Sequence, residues 1–177
     1  MAVKLFGIAG AAGAGKDTVA TLLSRHGNYH HYAFAKPLKE ALAVLGIKEP
    51  ANRADKELNL PGKAYSYRTA AQRLGTEWAR TLDENFWGNL AETFIETHDK
   101  VVISDVRFEN EANLIRNRGG IIIHVVGRET TVQGANAAHA SERPILVKDG
   151  DIVLDNSRGI HELVYKVLEI LRNTERP

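Results

Sequence analysis

Apolar residues along this chain fall into two kinds of pattern. Five short runs rich in β-branched and aromatic residues, Val3 to Ile8, His30 to Phe34, Val101 to Ser104, Ile121 to Val126 and Asp151 to Leu154, read as strands. Between and after them, apolar positions recur every three or four residues over Lys16 to Arg25, Pro37 to Leu45, Tyr67 to Thr81, Asn85 to Thr97, Asn110 to Arg118 and Gly159 to Arg172. That spacing predicts helices, and Pro37 suits the first turn of one of them. Near-continuous apolar strands alternating with helices are what a parallel sheet covered on both faces requires, so the fold class is α/β. The stretch between the second and third strands is about 65 residues, far longer than a parallel crossover needs, and so builds something beyond a connection. Within it, Glu49 to Ser66 carries Pro50, Asn52, Pro61 and Gly62 and reads as a mobile loop. Neither an internal repeat nor a low-complexity tract is present in the sequence.

Composition narrows the class of function. With 177 residues, 44% apolar and 25% charged, the chain suits a single compact enzyme domain. A formal net charge of +1 without a long Lys/Arg run argues against binding to a nucleic acid polymer. The absence of cysteine excludes disulfides and thiolate metal sites and fits a reducing cytoplasm. The apolar N-terminal stretch is interrupted too early by Lys16 and Asp17 to be a signal peptide, and no apolar run reaches membrane-spanning length.

The first predicted strand leads into Gly10-Ala11-Ala12-Gly13-Ala14-Gly15-Lys16-Asp17-Thr18 and then a helix, the order and spacing of a phosphate-binding P-loop. Gly10, Gly13, Ala14 and Gly15 are small enough for backbone N–H groups to approach phosphates, and Lys16 counters their charge. The residue after the lysine is ordinarily Ser or Thr, whose hydroxyl binds Mg²⁺. Here it is Asp17, followed by Thr18. A carboxylate is a harder metal ligand than a hydroxyl, but it also repels phosphate.

A second phosphate site is indicated by Val101-Val102-Ile103-Ser104-Asp105, an apolar strand ending in a carboxylate. Asp105 is either a helix cap or a group that binds Mg²⁺ through water or orients an acceptor. Arg107, two residues on, adds a planar donor for phosphate. In the insertion, Arg68, Gln72 and Thr76 stand at i, i+4 and i+8 on one helical face and offer a guanidinium, an amide and a hydroxyl to a nucleotide. Arg73, Glu77 and Arg80 read as surface charges pairing at helical spacing, and Gly75 as a point of close approach. Lys36 and Lys39, after the second strand, are candidates for an acceptor phosphate, although each reads equally well as a surface lysine. Phe34, Trp78, Phe86 and Trp87 read mainly as core, with at most one of them stacking on a base.

Gly15-Lys16-Asp17-Thr18, Gln72-Arg73-Leu74-Gly75-Thr76-Glu77, Ser104-Asp105-Val106-Arg107-Phe108-Glu109-Asn110-Glu111 and His139-Ala140-Ser141-Glu142-Arg143 occur together. In these motifs the chain resembles the deoxynucleoside monophosphate kinases of tailed bacteriophages and prophages, from Leu5 to about Leu171. The resemblance implies a P-loop NTPase fold of the nucleoside monophosphate kinase type: a core (1–35, 99–127 and 144–177) with a five-stranded parallel sheet, a helical acceptor-binding insertion (36–98) and a small lid (128–143). It makes Asp17 a family feature. It also implies that Arg128 and Arg143 close over the transferring phosphoryl group, with Lys16, Asp17 and Arg107 completing the catalytic set. Asn156, after the fifth strand, stands where related kinases hold adenine, although a turn or helix cap explains it equally well.

The implied reaction moves the γ-phosphoryl of ATP, held with Mg²⁺ by Asp17 and Thr18, to a deoxynucleoside monophosphate lying against Lys36, Arg68, Gln72, Thr76, Asp105 and Arg107. Dephospho-coenzyme A and phosphomevalonate kinases share parts of the pattern and supply alternative acceptors. A non-catalytic ATP-binding module is the rival of another class. The expected partners are ATP and the acceptor alone, with a homodimer left open, in the cytoplasm of a host cell if the chain is phage-encoded.

Overall fold

A computed structural model of the protein describes residues 4–52, 54–127 and 144–174. Two compact units result, one formed by the residues up to Ala33 with those from Ala91 onward, the other by Phe34–Leu90. The first contains all five strands: β1 (Leu5–Gly10), β2 (His30–Tyr32), β3 (Val101–Val106), β4 (Ile121–Val126) and β5 (Ile152–Asp155), ordered β2-β3-β1-β4-β5. Every pairing is parallel, as the near-continuous apolar runs predict. β1 is central, and its residues alternate between two covered faces. Phe6 and Ile8 join Val19 and Leu23 of α1 (Lys16–Gly27), Ile123 and Val125 of β4, and Val167 and Leu171 of α7 (Ile160–Thr174) in one buried cluster. Gly7 points the other way, where a β-carbon would come within 2.6 Å of Ile115 Cδ1 on α6 (Glu109–Asn117). The missing side chain lets α6 lie close on that face.

Four of the five strands have limits that differ from the sequence pattern. β1 continues to Gly10, because pairing with β4 persists to Gly10 opposite Val125. β2 stops at Tyr32, and Phe34 becomes the buried residue that opens α2 (Ala35–Val44). β3 runs on to Val106, two residues past its apolar run, β5 is shifted by one residue to Ile152–Asp155, and β4 coincides with its run.

The second unit begins with α2 and continues through a 3₁₀ turn (Ala54–Lys56) to α3 (Tyr67–Gln72), whose N-cap Ser66 accepts a hydrogen bond from the Thr69 N–H at 3.1 Å. The Pro/Gly-rich segment before α3 has internal order. Glu49 pairs with both Lys39 and Lys56, Asn59 bridges Ser66, and the Leu60 N–H bonds the Tyr65 carbonyl at 2.9 Å. The single helix expected over Tyr67 to Thr81 is instead three pieces: α3, a π-helical segment Arg73–Trp78, and α4 (Ala79–Leu82). The Ala79 N–H reaches back five residues to the Leu74 carbonyl, and the Gly75 carbonyl accepts the buried Trp87 indole N–H at 2.7 Å. Trp87 lies on α5 (Phe86–Thr97), so a tertiary hydrogen bond outside the helix takes the place of a local one.

Candidate active site

At the carboxyl end of β1 the chain turns through Gly10, Gly13 and Gly15, whose φ angles are 147°, 83° and 104°. These conformations strain any residue with a side chain, and a β-carbon on Gly10 would meet the Val125 carbonyl oxygen at 2.5 Å. The turn closes with the Ala14 N–H on the Ala11 carbonyl at 3.1 Å, and α1 starts at Lys16 with Gly15 as its N-cap. The positive end of the α1 dipole and its first-turn N–H groups thus lie at the loop, an arrangement that suits an anion. The Lys16 ammonium folds over it and donates to the carbonyls of Gly10 at 2.8 Å and Ala11 at 2.9 Å. Asp17 and Thr18 follow in the first helical turn, both exposed.

β3 lies beside β1, and the switch in strand order at β1 opens the carboxyl ends of these strands, where open α/β sheets bind ligands. The register there is irregular: Gly7 pairs with Ile103 but Ala9 with Val106, so β3 carries one extra residue over Ser104 and Asp105. A bulge of this kind re-aims side chains at a strand end. Ser104 is buried against His31, with Nε2 and Oγ 2.7 Å apart, whereas Asp105 is half-buried. The turn after Asp105 is held by buried Glu111, whose Oε2 accepts the N–H groups of Arg107 at 2.9 Å and Phe108 at 3.1 Å. That leaves the Arg107 side chain exposed on a fixed backbone. Glu111 had no role in the sequence reading. It sits three residues after Phe108, the N-cap of α6, and supplies the glutamate half of a capping box; Phe108 has no side-chain acceptor for the other half, so the sequence carries no full signature.

In the second unit, Lys36 is exposed in the first turn of α2. Arg68 and Gln72 share a face of α3, with Arg68 paired to Glu57, while half-buried Thr76 belongs to the π-helical segment. Gln72 Nε2 is buried and has no hydrogen-bond partner among the described residues. The hydroxyl of buried Tyr67 is also unpartnered, and its pKa is pushed up to about 12 by burial and by the Glu49 charge. Of the four candidate rings, Phe34 and Trp87 are buried and Phe86 lies partly covered edge-on to Trp87, leaving Trp78 the one well exposed.

Arg128, Arg143, His139 and the expected lid lie outside the described residues. The chain that follows them is fastened by a network around Asp151. The Arg116 guanidinium of α6 donates to both carboxylate oxygens of Asp151, at 3.2 and 2.6 Å, and to the Leu146 carbonyl at 2.9 Å. His124 Nε2 lies 2.9 Å from the same carboxylate, which also accepts the Lys148 N–H at 2.9 Å. Burial disfavours the Asp151 anion, yet these donors and the Arg116 charge outweigh it and hold the pKa at about 2.

Asn156, just past β5, is buried beneath the phosphate loop. Its N–H bonds the Val126 carbonyl at 2.8 Å, and its Nδ2 donates to the Ala14 carbonyl at 2.8 Å. Among the described residues no group of three or more His, Asp or Glu side chains is gathered for a metal. Asp17 and Thr18 together provide two hard oxygen donors beside the anion site, a set that suits Mg²⁺, which takes few protein ligands and completes its shell with phosphate oxygens and water.

Comparison with known proteins bears on both fold and chemistry. Over 96% of each chain the structure is similar to shikimate kinase from Aquifex aeolicus, at a TM-score of 0.55 and 19% identity. A sugar kinase from Janibacter sp. aligns over 96% of this chain and 95% of its own, with a TM-score of 0.51 and 16% identity. These likenesses establish the P-loop kinase fold. A protein of Acanthamoeba polyphaga mimivirus bearing the name deoxynucleotide monophosphate kinase is 28% identical over 97% of this chain and 98% of its own. The deoxynucleotide monophosphate kinase of Enterobacteria phage T4 is 29% identical over 61% of this chain and 46% of its own, and that of Escherichia phage RB69 is 28% identical over 76% and 56%. The alignments thus span about half the length of the two phage enzymes. The family model for deoxynucleotide monophosphate kinase matches residues 47–167, from the insertion through β3 with Asp105 and past β5 and Asn156 into α7, and the chain belongs to that family.

Proposed function

We propose that this protein transfers the γ-phosphoryl group of ATP to a deoxynucleoside monophosphate, giving the deoxynucleoside diphosphate and ADP. The observation that carries the reading is the loop from Gly10 to Thr18: three glycines in left-handed or extended positive-φ conformations, a lysine folded over the loop, and a helix N-terminus behind it. The triphosphate rests on the loop's N–H groups, and Lys16 leaves its carbonyl partners to follow the moving phosphoryl group. Asp105 orients the acceptor, Arg107 and Lys36 offset the charge of its phosphate, and Arg68, Gln72 and Thr76 hold the nucleotide. Gln72, with a buried amide nitrogen lacking a partner among the described residues, supports that role. Arg128 and Arg143 are assigned to the clamp on the transferring group.

The attacking oxygen belongs to a phosphate that is already anionic near neutral pH, so no strong general base is required. Catalysis is positioning and charge neutralisation. Asp17 and Thr18 would hold Mg²⁺, which would offset negative charge on the phosphates. The enzyme is read as cytoplasmic, acting on small molecules alone. Dephospho-coenzyme A and phosphomevalonate are not favoured as acceptors, because the family match points to deoxynucleotides.

The test is ADP formation from Mg²⁺-ATP with dAMP, dGMP, dCMP, dTMP, their ribose counterparts and dephospho-coenzyme A. Turnover with one or more deoxynucleotides is the expected result. Turnover with dephospho-coenzyme A alone would move the protein to another acceptor class, and silence throughout would leave a binding module.

A further inference from the structure

We infer that Asn156 is a positioning residue for the phosphate loop, which sets the direction of one of its phosphate-binding N–H groups rather than reading the adenine base. The inference rests on the proposal that the ATP phosphates occupy that loop. Asn156 is 3% exposed and joins two elements that the sequence separates by 142 positions: its Nδ2 donates to the carbonyl of Ala14 at 2.8 Å. Its backbone N–H bonds the Val126 carbonyl at the end of β4, so the residue is itself fixed by the sheet.

The consequence follows from peptide geometry. All peptide bonds in the described chain are trans, so the Ala14 carbonyl and the Gly15 N–H point in opposite directions across one rigid plane. A donor that pins the carbonyl on the buried side therefore turns the Gly15 N–H toward the open side of the loop, where an anion binds. Gly15, at φ 104°, has no side chain to resist rotation of that plane, so the orientation depends on an outside constraint. The fit is close: a β-carbon on Gly15 would lie 2.5 Å from Asn156 Nδ2. The Ala14 carbonyl, in a fully buried residue, would lose this donor if the side chain were apolar.

The experiment compares Asn156→Leu and Asn156→Ala with the wild type by calorimetric titration of ADP and of inorganic tripolyphosphate, together with KM for ATP and kcat. Loss of one aligned donor to an anion predicts that both probes weaken by the same factor, about ten- to hundredfold, with a matching rise in KM for ATP and an unchanged KM for the acceptor. Weakening of ADP with unchanged tripolyphosphate affinity would assign Asn156 to the adenine and overturn the inference. Unchanged affinity for both would overturn it equally. A measurement on the wild type does not depend on the variants folding: the amide resonance of Gly15 shifts strongly downfield on tripolyphosphate addition if its N–H receives the anion, and an unmoved resonance sinks the idea. A wild-type protein that binds neither probe would instead remove the ATP site itself.

Discussion

The indole N–H of Trp87 donates to the backbone carbonyl of Gly75 at 2.7 Å, in a buried setting, and the helix between Tyr67 and Leu82 widens into a π turn at that point. Replacing Trp87 by Phe keeps a ring but orphans the carbonyl. The variant is expected to lose about 1–3 kcal/mol in urea unfolding. It is also expected to raise KM for the deoxynucleotide more than for ATP, since the π segment carries Thr76. Equal stability of the variant would show that the hydrogen bond does not hold the turn.

Gly10 combines φ 147° with a β-carbon position 2.5 Å from a backbone oxygen of β4. The neighbour is main chain in a central strand pair and cannot swing aside. Gly10→Ala should therefore distort the loop, lowering stability by about 1–3 kcal/mol and abolishing tripolyphosphate binding. Calorimetric titration with thermal unfolding reads both effects.

Lys16 donates to the Gly10 and Ala11 carbonyls of the loop. Lys16→Ala is expected to keep the fold, with a melting temperature close to that of the wild type, and to reduce kcat by a factor on the order of 10³. Near-normal turnover would remove Lys16 from the transfer step.

Arg68 is expected to bind the acceptor, with Glu57 as its partner in the structure. Arg68→Ala should raise KM for the deoxynucleotide about tenfold or more and leave KM for ATP unchanged, as steady-state kinetics with each substrate varied would show. A rise confined to ATP would contradict the assignment.

Asp151 lends the fold a defined acid sensitivity. Its pKa is about 2 in the folded protein against an ordinary value of 3.8, so the carboxylate stabilises the fold fully above about pH 4 and the contribution fades as pH falls through 2. The shift corresponds to about 2 kcal/mol for a side chain that is 2% exposed. The stability gap between wild type and Asp151→Asn, measured by urea unfolding, should narrow progressively between pH 4 and pH 2. A constant gap would place the stabilisation elsewhere.

Strand positions were legible because a strand buried on both faces must be apolar throughout, and β4 coincides with its run from Ile121 to Val126. The phosphate loop was legible for a related reason: strand, glycines, lysine and helix are contiguous, so local chemistry and spacing suffice to describe it. Helix phase over residues 67–82 was not, since Gly75 becomes part of a π turn only when Trp87, twelve residues later, supplies its indole N–H. The bulge at Ser104 and Asp105 was hidden as well, because register belongs to a pair of strands and the extra residue shows only against β1.

By itself, the sequence determined the α/β class, the five strands, the loop from Gly10 to Thr18 and the resemblance that the family match upholds. Each of these is written in contiguous residues or in periodicity. The tertiary structure alone decided the direction of the Ala14–Gly15 peptide, the carboxylate network at Asp151 and the widened turn at Gly75. All three depend on donors that folding brings from distant parts of the chain, and hydrogen bonds between such partners leave no periodic trace in sequence.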